Sequence, residues 1–294
     1  GGNILFSSGG GTVSNCVICN CQVDWFGHGA VYLGSTAALL TGCVISNNVA
    51  NNINSKDGFG VTIADGRVEN CLITGNYDNE DQAPRTHNGA VYISGGEMIN
   101  CTIVNNASRQ VAGVQCTGGA VVNCVIYGNR STVAGGIAAV YGGGKPECFT
   151  NCASDVAAIN ETCVTGLFNF ADPERGDWRP QCGSICIDGG TADVVDLAPL
   201  DLDGAPRLSA NQIDIGAYEF QLEEGAFAAS LASSERLALV GEELTFSGHV
   251  MPAGDYTYEW DFGDGSAGAS GSTVAKSFAA PGLYTVSLIV KSGG

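Results

Sequence analysis

The four-residue pattern Asn-Cys-x-Ile returns every 23 to 30 residues through the first half of the chain. It reads Asn15-Cys16-Val17-Ile18, Asn70-Cys71-Leu72-Ile73, Asn100-Cys101-Thr102-Ile103 and Asn123-Cys124-Val125-Ile126; Gly42-Cys43-Val44-Ile45 carries Gly for Asn. Three residues beyond each Ile lies another polar position: Cys21 in the first copy, then Asn48, Asn76, Asn106 and Asn129. A second marker, Gly-Ala-Val-Tyr, occurs at Gly29 to Tyr32 and at Gly89 to Tyr92, with degenerate copies starting at Gly2, Gly58 and Gly113. A period in the twenties specifies a solenoid, in which each copy buries its apolar face only against its neighbours.

The apolar runs are short, β-branched and bounded by Gly, Asn and Ser, which reads as strands. Helical repeats need long 3.6-periodic stretches, and leucine-rich repeats need a Leu ladder; neither pattern is present. The spacing therefore predicts a parallel β-helix of about six coils over residues 1–155, with equivalent side chains stacked about 4.8 Å apart. Cys16, Cys43, Cys71, Cys101 and Cys124 then form a buried thiol column, because a small apolar Cys suits such a stack. Asn76, Asn106 and Asn129 form a second ladder; Asn at a turn can adopt a left-handed backbone and bond to the next coil. Gly at the Gly-Ala-Val-Tyr start allows a sharp corner. Two long polar inserts, 49–57 and 77–88, leave the same corner. These repeats resemble the right-handed parallel β-helix family of bacterial secreted and surface proteins, including Gly-Gly-Ala-Ile repeat proteins of the polymorphic outer-membrane type. The resemblance implies a location outside the cell or on the bacterial surface.

From Phe149 to Gln221 the repeat stops and acidic residues dominate. Cys186-Ile187-Asp188-Gly189-Gly190, then Asp201-Leu202-Asp203-Gly204-Ala205-Pro206-Arg207, then Asp214-Ile215-Gly216-Ala217-Tyr218-Glu219 resemble the C-terminal region of choice-of-anchor Q β-helix proteins. Cys182-Gly183-Ser184-Ile185 departs from that family, which usually shows Ser-Pro before the Cys. The resemblance implies that residues 156–224 close the end of the helix and precede a linking module; a bare last coil would leave an open row of backbone donors and acceptors. Arg207 is expected to pair with Asp203 or Asp214, and the competing reading is a calcium ion held by Asp201, Asp203 and Asp214. Over residues 225–294 alternating strands appear. Trp260-Asp261-Phe262-Gly263-Asp264-Gly265 followed by Pro281-Gly282-Leu283-Tyr284-Thr285-Val286 resembles a PKD domain, an immunoglobulin-like β-sandwich whose core Trp260 would fill. Lys276-Ser277-Phe278 stands where that family usually carries a His before the aromatic residue. The family's last strand is expected beyond Ser292-Gly293-Gly294, from a longer chain or from another one. The expected fold class is all-β: a right-handed parallel β-helix with a capping segment, followed by an Ig-like sandwich.

A net charge of −18, from 30 acidic and 12 basic residues, argues against a nucleic-acid partner and against docking on anionic lipid. No apolar run is long enough to span a membrane, so no membrane insertion is expected of this chain. It opens on Gly1-Gly2 and reads as a piece of something longer. Gly27-His28-Gly29 matches a polygalacturonase tripeptide, yet no Asp-Asp, Asn-Thr-Asp or Arg-Ile-Lys companion accompanies it. No acidic residue recurs at a fixed coil position to build a lyase site, and inverting glycosidases need two carboxylates across a cleft. No catalytic residue and no cofactor other than the candidate calcium is therefore predicted; His28 and His87 read as corner residues. Cys16, Cys19 and Cys21 crowd one coil, but a strand turns them to different sides. Disulfides are expected among Cys148, Cys152, Cys163, Cys182 and Cys186. Asn106, Asn129 and Asn160 begin N-glycosylation patterns. The function expected is a non-catalytic structural or adhesive module of a bacterial secreted or cell-surface protein. It would form homo-oligomers by head-to-tail or strand-exchange contacts, up to a filament, and take a polysaccharide or cell-surface ligand. The alternative is a β-helix carbohydrate-active enzyme, of polysaccharide lyase or glycoside hydrolase type, or a carbohydrate-binding module.

Overall fold

A computed structural model describes residues 4–24, 28–51, 58–78, 89–109, 111–132, 140–141, 145–156, 159–209, 212–223 and 225–293. Each copy of the repeat makes one coil of short strands, and the coils stack into parallel sheets. Sheet I holds Ile4–Phe6, Val31–Leu33, Val61–Ile63, Val91–Ile93, Val114–Cys116 and Val140–Tyr141. Sheet II runs from Gly11–Ser14 to Phe149–Thr150, and sheet III from Val17–Cys19 to Ala153–Ser154, each with six strands. Sheet IV has five, from Gln22–Asp24 to Arg130–Ser131. Most of the inserts 49–57 and 77–88, with His87, lies outside the described residues.

The repeat motif now has a physical meaning at each position. Its Asn is the corner between sheets II and III, with φ of 48–53° at Asn15, Asn70, Asn100 and Asn123 and 61° at Gly42. Only Gly and Asn adopt that left-handed backbone readily, which is why Gly42 replaces Asn without loss. The Cys and Ile point inward and the residue between them points outward. Ile18, Ile45, Ile73, Ile103 and Ile126 are in register along sheet III and belong to one continuous core with Val31, Leu33, Val61, Ile63, Val91 and Ile93 of sheet I. A second left-handed corner, at Asn20, Asn47, Gly75, Asn105 and Gly128, separates sheets III and IV. The ladder asparagines follow these corners rather than forming them.

The segment after the coils lies elsewhere than expected. Residues 145–164 finish the coils, with Val164 bridging Ala153 in parallel. From there to Phe220 the chain does not cap the end but lies along the outer face of sheet III. Phe170, Trp178, Cys186, Ile215, Ala217 and Tyr218 pack on Leu72, Val104, Val125 and Ala153 in a second core. The cause is the outward residue of the repeat: Val44, Leu72 and Val125 are apolar and require cover. Val17, on the first coil and beyond that cover, is 69% exposed.

Residues 228–292 form two antiparallel three-stranded sheets. Leu244, Phe246, Trp260 and Phe262 fill the space between them, and Trp260 Nε1 donates to the Gly271 carbonyl at 2.8 Å. Lys276 lies over the Phe262 and Phe278 rings and pairs with Asp264 at 2.6 Å. The sandwich is bonded to the flank layer. Asn169 Nδ2 donates to Ser230 Oγ at 2.8 Å, and that hydroxyl donates to the Cys182 carbonyl at 2.6 Å. Gly183 sits against the His249 ring with no room for a Cβ.

Candidate functional site

Two polar columns run through the solenoid. In the first, Cys43, Cys71, Cys101 and Cys124 are completely buried. Each thiol donates to the carbonyl two residues back, at 3.1–3.2 Å. Cys16, expected in the buried column, is exposed, on the first of the described coils. Cys152, expected in a disulfide, instead continues the column: Asn151 takes the corner conformation (φ 49°) and Cys152 Sγ donates to Thr150 at 3.4 Å. All thirteen cysteines are free thiols, so the disulfides expected among Cys148, Cys152, Cys163, Cys182 and Cys186 are not formed. Burial pushes the Cys71 and Cys124 thiols well above the ordinary range and that of Cys186 to about 12, which makes them poor nucleophiles. A thiol reagent added to the native protein is expected to label Cys16, Cys19 and Cys21 only; mass spectrometry finding Cys71 or Cys101 modified before unfolding would refute the sealed column.

The second column is an asparagine ladder through Asn48, Asn76, Asn106 and Asn129. The Asn48 oxygen accepts from Cys21 N–H at 2.9 Å, and the oxygens of Asn76, Asn106 and Asn129 each accept two bonds from the preceding coil. Asn106 Oδ1 takes Asn76 N–H at 2.9 Å and Asn76 Nδ2 at 3.0 Å. Asn129 Oδ1 takes the same pair from Asn106 at 3.0 and 2.9 Å. Each Nδ2 also reaches the carbonyl of an earlier Ile: Ile45, Ile73 and Ile103 for Asn76, Asn106 and Asn129. Asn106 and Asn129 are thus buried, and Asn160 Nδ2 donates to Pro146 and Phe149. All three glycosylation patterns are occupied by structure.

A third cluster joins the flank layer to the coils. Arg207 is 1% exposed. It donates to the Asn70 side chain at 2.7 Å and to the carbonyls of Gly216 and Ala217 at 3.0 and 2.9 Å. Its acidic partner is Glu219, at 3.4 Å, rather than the expected Asp203 or Asp214. Asp203 pairs with Arg179 at 2.6 Å. Asp201 accepts from the N–H groups of Asp203, Ala205 and Glu219, and Asp214 from those of Asp188 and Phe220. The trio expected for calcium is therefore not gathered around one point, and among the described residues no three His, Cys, Asp or Glu are placed to hold a metal. His28 is exposed at its corner. Between the flank layer and the sandwich is a cleft of about 1050 Å³ walled by Tyr127, Phe168 and Phe170 on one side and Leu231, Leu237 and Leu283 on the other.

Residues 2–165, more than half of the chain, match the family model of the right handed beta helix region. The chain belongs to the right-handed β-helix family. Residues 228–294 of this β-helix protein match a PKD domain. No curated protein and no solved structure matches it. No helix among the described residues is long and apolar enough to cross a membrane.

Sequence reasoning missed Glu219 as the partner of Arg207, although Glu219 lies in the motif that carried the choice-of-anchor Q resemblance. Burial, reinforced by the Asp214 charge and opposed by Arg207, pushes Glu219 up to about 8; burial pushes Asp214 up to about 6. Both folded values lie above the unfolded ones, so the stability they contribute is complete below about pH 4 and is lost as pH rises through 6 and 8. Melting temperature should therefore fall between pH 5 and 9, and Glu219→Gln should flatten the upper part of that slope. An unchanged slope in the variant would assign it to other groups.

Proposed function

We propose that this β-helix protein is a non-catalytic structural or adhesive module of a secreted or cell-surface bacterial protein. The observation that carries the reading is the fate of its displaced carboxylates. Strongly perturbed acids mark functional sites when they face a cleft. Here Asp214 and Glu219 are sealed between the coils and the flank layer and engaged by backbone N–H groups and Arg207. Their chemistry goes into fastening two layers. The bonded joint at Ser230 and Gly183 adds a sandwich held against the shaft instead of swinging on a tether. β-Helix and PKD domains are both typical of extracellular proteins, which supports the location. Homo-oligomers built by head-to-tail or strand-exchange contacts belong to the same proposal; strictly monomeric particles at every concentration imaged would remove them. The test of the central claim is a screen of uronic-acid and neutral polysaccharides with and without calcium. No turnover is expected. Turnover abolished by neutralising one acidic residue on a coil face would establish the enzyme alternative instead.

A further inference from the structure

Three thiols of the first described coil are within reach of solvent: Cys16, Cys19 and Cys21. The register between that coil and the next gives each a different neighbour. Cys19 lies beside Ser46. Cys21 lies beside Asn48, whose side-chain oxygen accepts its N–H. Of the three, Cys16 is the one with a thiol beside it. Val17 pairs with Val44, which sets Cys43 in register with Cys16. Cys16 N–H donates to Cys43 Sγ at 3.4 Å, and Val44 N–H donates to the Cys16 carbonyl at 2.9 Å.

The pair is asymmetric, since Cys16 is exposed and Cys43 is completely buried. Residues in register on neighbouring parallel strands lie about 4.8 Å apart. A disulfide spans Cα separations of roughly 4.4–6.8 Å, so the backbone need not move to join them. The Cys71 thiol, with the Cys16 N–H behind it, holds the Cys43 thiol down at about 7 against the opposing effect of burial. Burial pushes Cys71 itself well above the ordinary range. A thiolate is therefore available at the first step inward and not at the second.

We propose that Cys16 and Cys43 form an oxidisable pair, which a small-molecule disulfide closes into a covalent staple between the first two described coils. The Cys16 thiolate attacks one sulfur of the small disulfide; a mixed disulfide forms and the first small thiolate leaves. Cys43 then attacks Cys16 Sγ, the Cys16–Cys43 bond forms and the second small thiolate leaves. The two cysteines together give up two electrons and two protons, and the small disulfide is reduced to two thiols. Cys71, Cys101 and Cys124 stay reduced below the staple. The inference goes beyond the structural reading and does not depend on it, because the pair is defined by the register of the coils.

The experiment uses the full chain, reduced and then incubated with oxidised glutathione. In the variant with Cys19→Ser and Cys21→Ser the intact mass should fall by two hydrogens. Chymotrypsin, which cuts between the two cysteines at Trp25 and Tyr32, should release one peptide pair joined through Cys16 and Cys43. In the parent chain a thiol reagent should no longer label Cys16 after oxidation. Adding Cys43→Ala to the double variant should stop the reaction at the mixed disulfide, leaving glutathione on Cys16, and adding Cys16→Ser should abolish the link. If Cys43→Ala melts early, the peptide map of the double variant decides alone. Thiols left unchanged, a glutathione adduct that never resolves in the double variant, a parent-chain link from Cys43 to Cys19 or Cys21, or a link that reaches Cys71 would overturn the proposal.

Discussion

Asn106→Ala should lower the unfolding free energy of the solenoid by about 3–5 kcal/mol, because several buried groups lose a partner at roughly 1–3 kcal/mol each. Asn106 is completely buried. Its oxygen accepts from Asn76 N–H and Nδ2; its amide nitrogen donates to Ile73, to Val104 and to Asn129. Alanine removes these side-chain bonds together and admits no water in their place. Asn106→Asp should be worse still, since the second oxygen would face the Ile73 and Val104 carbonyls, which need a donor. The cost should fall off toward the column end, where Asn129 is already 6% exposed. Urea unfolding followed by far-ultraviolet dichroism measures both variants. A loss below about 1 kcal/mol for Asn106→Ala would mean that the ladder is ornament on a fold held by its apolar core alone, since that is the ordinary worth of one hydrogen bond.

Arg207→Ala should be comparably destructive, at about 3–5 kcal/mol, the usual penalty for breaking a buried ion pair from one side. The damage has a different location. Asp201, Asp214 and Glu219 would stay buried without their cation, and the Asn70 oxygen would lose its 2.7 Å donor. The flank layer should detach first, exposing Leu72, Val104 and Val125, while the coils persist. Limited proteolysis should cut between residues 165 and 220 at protease levels that leave the parent protein whole. Arg207→Lys should not rescue, because one ammonium cannot span Asn70, Gly216, Ala217 and Glu219 at once. Wild-type resistance in Arg207→Ala would contradict this account.

Much of the shaft was legible because its constraint is repeated. Asn-Cys-x-Ile encodes a left-handed corner, an inward thiol, an outward residue and an inward aliphatic, and several copies make the alignment unambiguous. Cys152 escaped because its copy, Asn151-Cys152-Ala153-Ser154, has lost the Ile. The place of the flank layer was written in the outward position: Val44, Leu72 and Val125 are apolar where a solvent-facing residue would be polar. Reading the motif for its inward residues alone hid that signal. The Arg207–Glu219 pairing could not be read at all, since two nearer aspartates offered the same charge. Burial chose between them, and burial is a property of the assembled layers.

The asparagine ladder also bears on how such a protein can change over generations. From Asn48 to Asn129, each coil offers its asparagine oxygen to the coil before it, and each but the last passes two donors to the coil after it. Duplicating or losing one copy of the motif therefore joins two surfaces that already match atom for atom. Unequal recombination within the gene could lengthen or shorten the molecule by a fixed increment, with no new interface to invent and with the sandwich still carried at its far end.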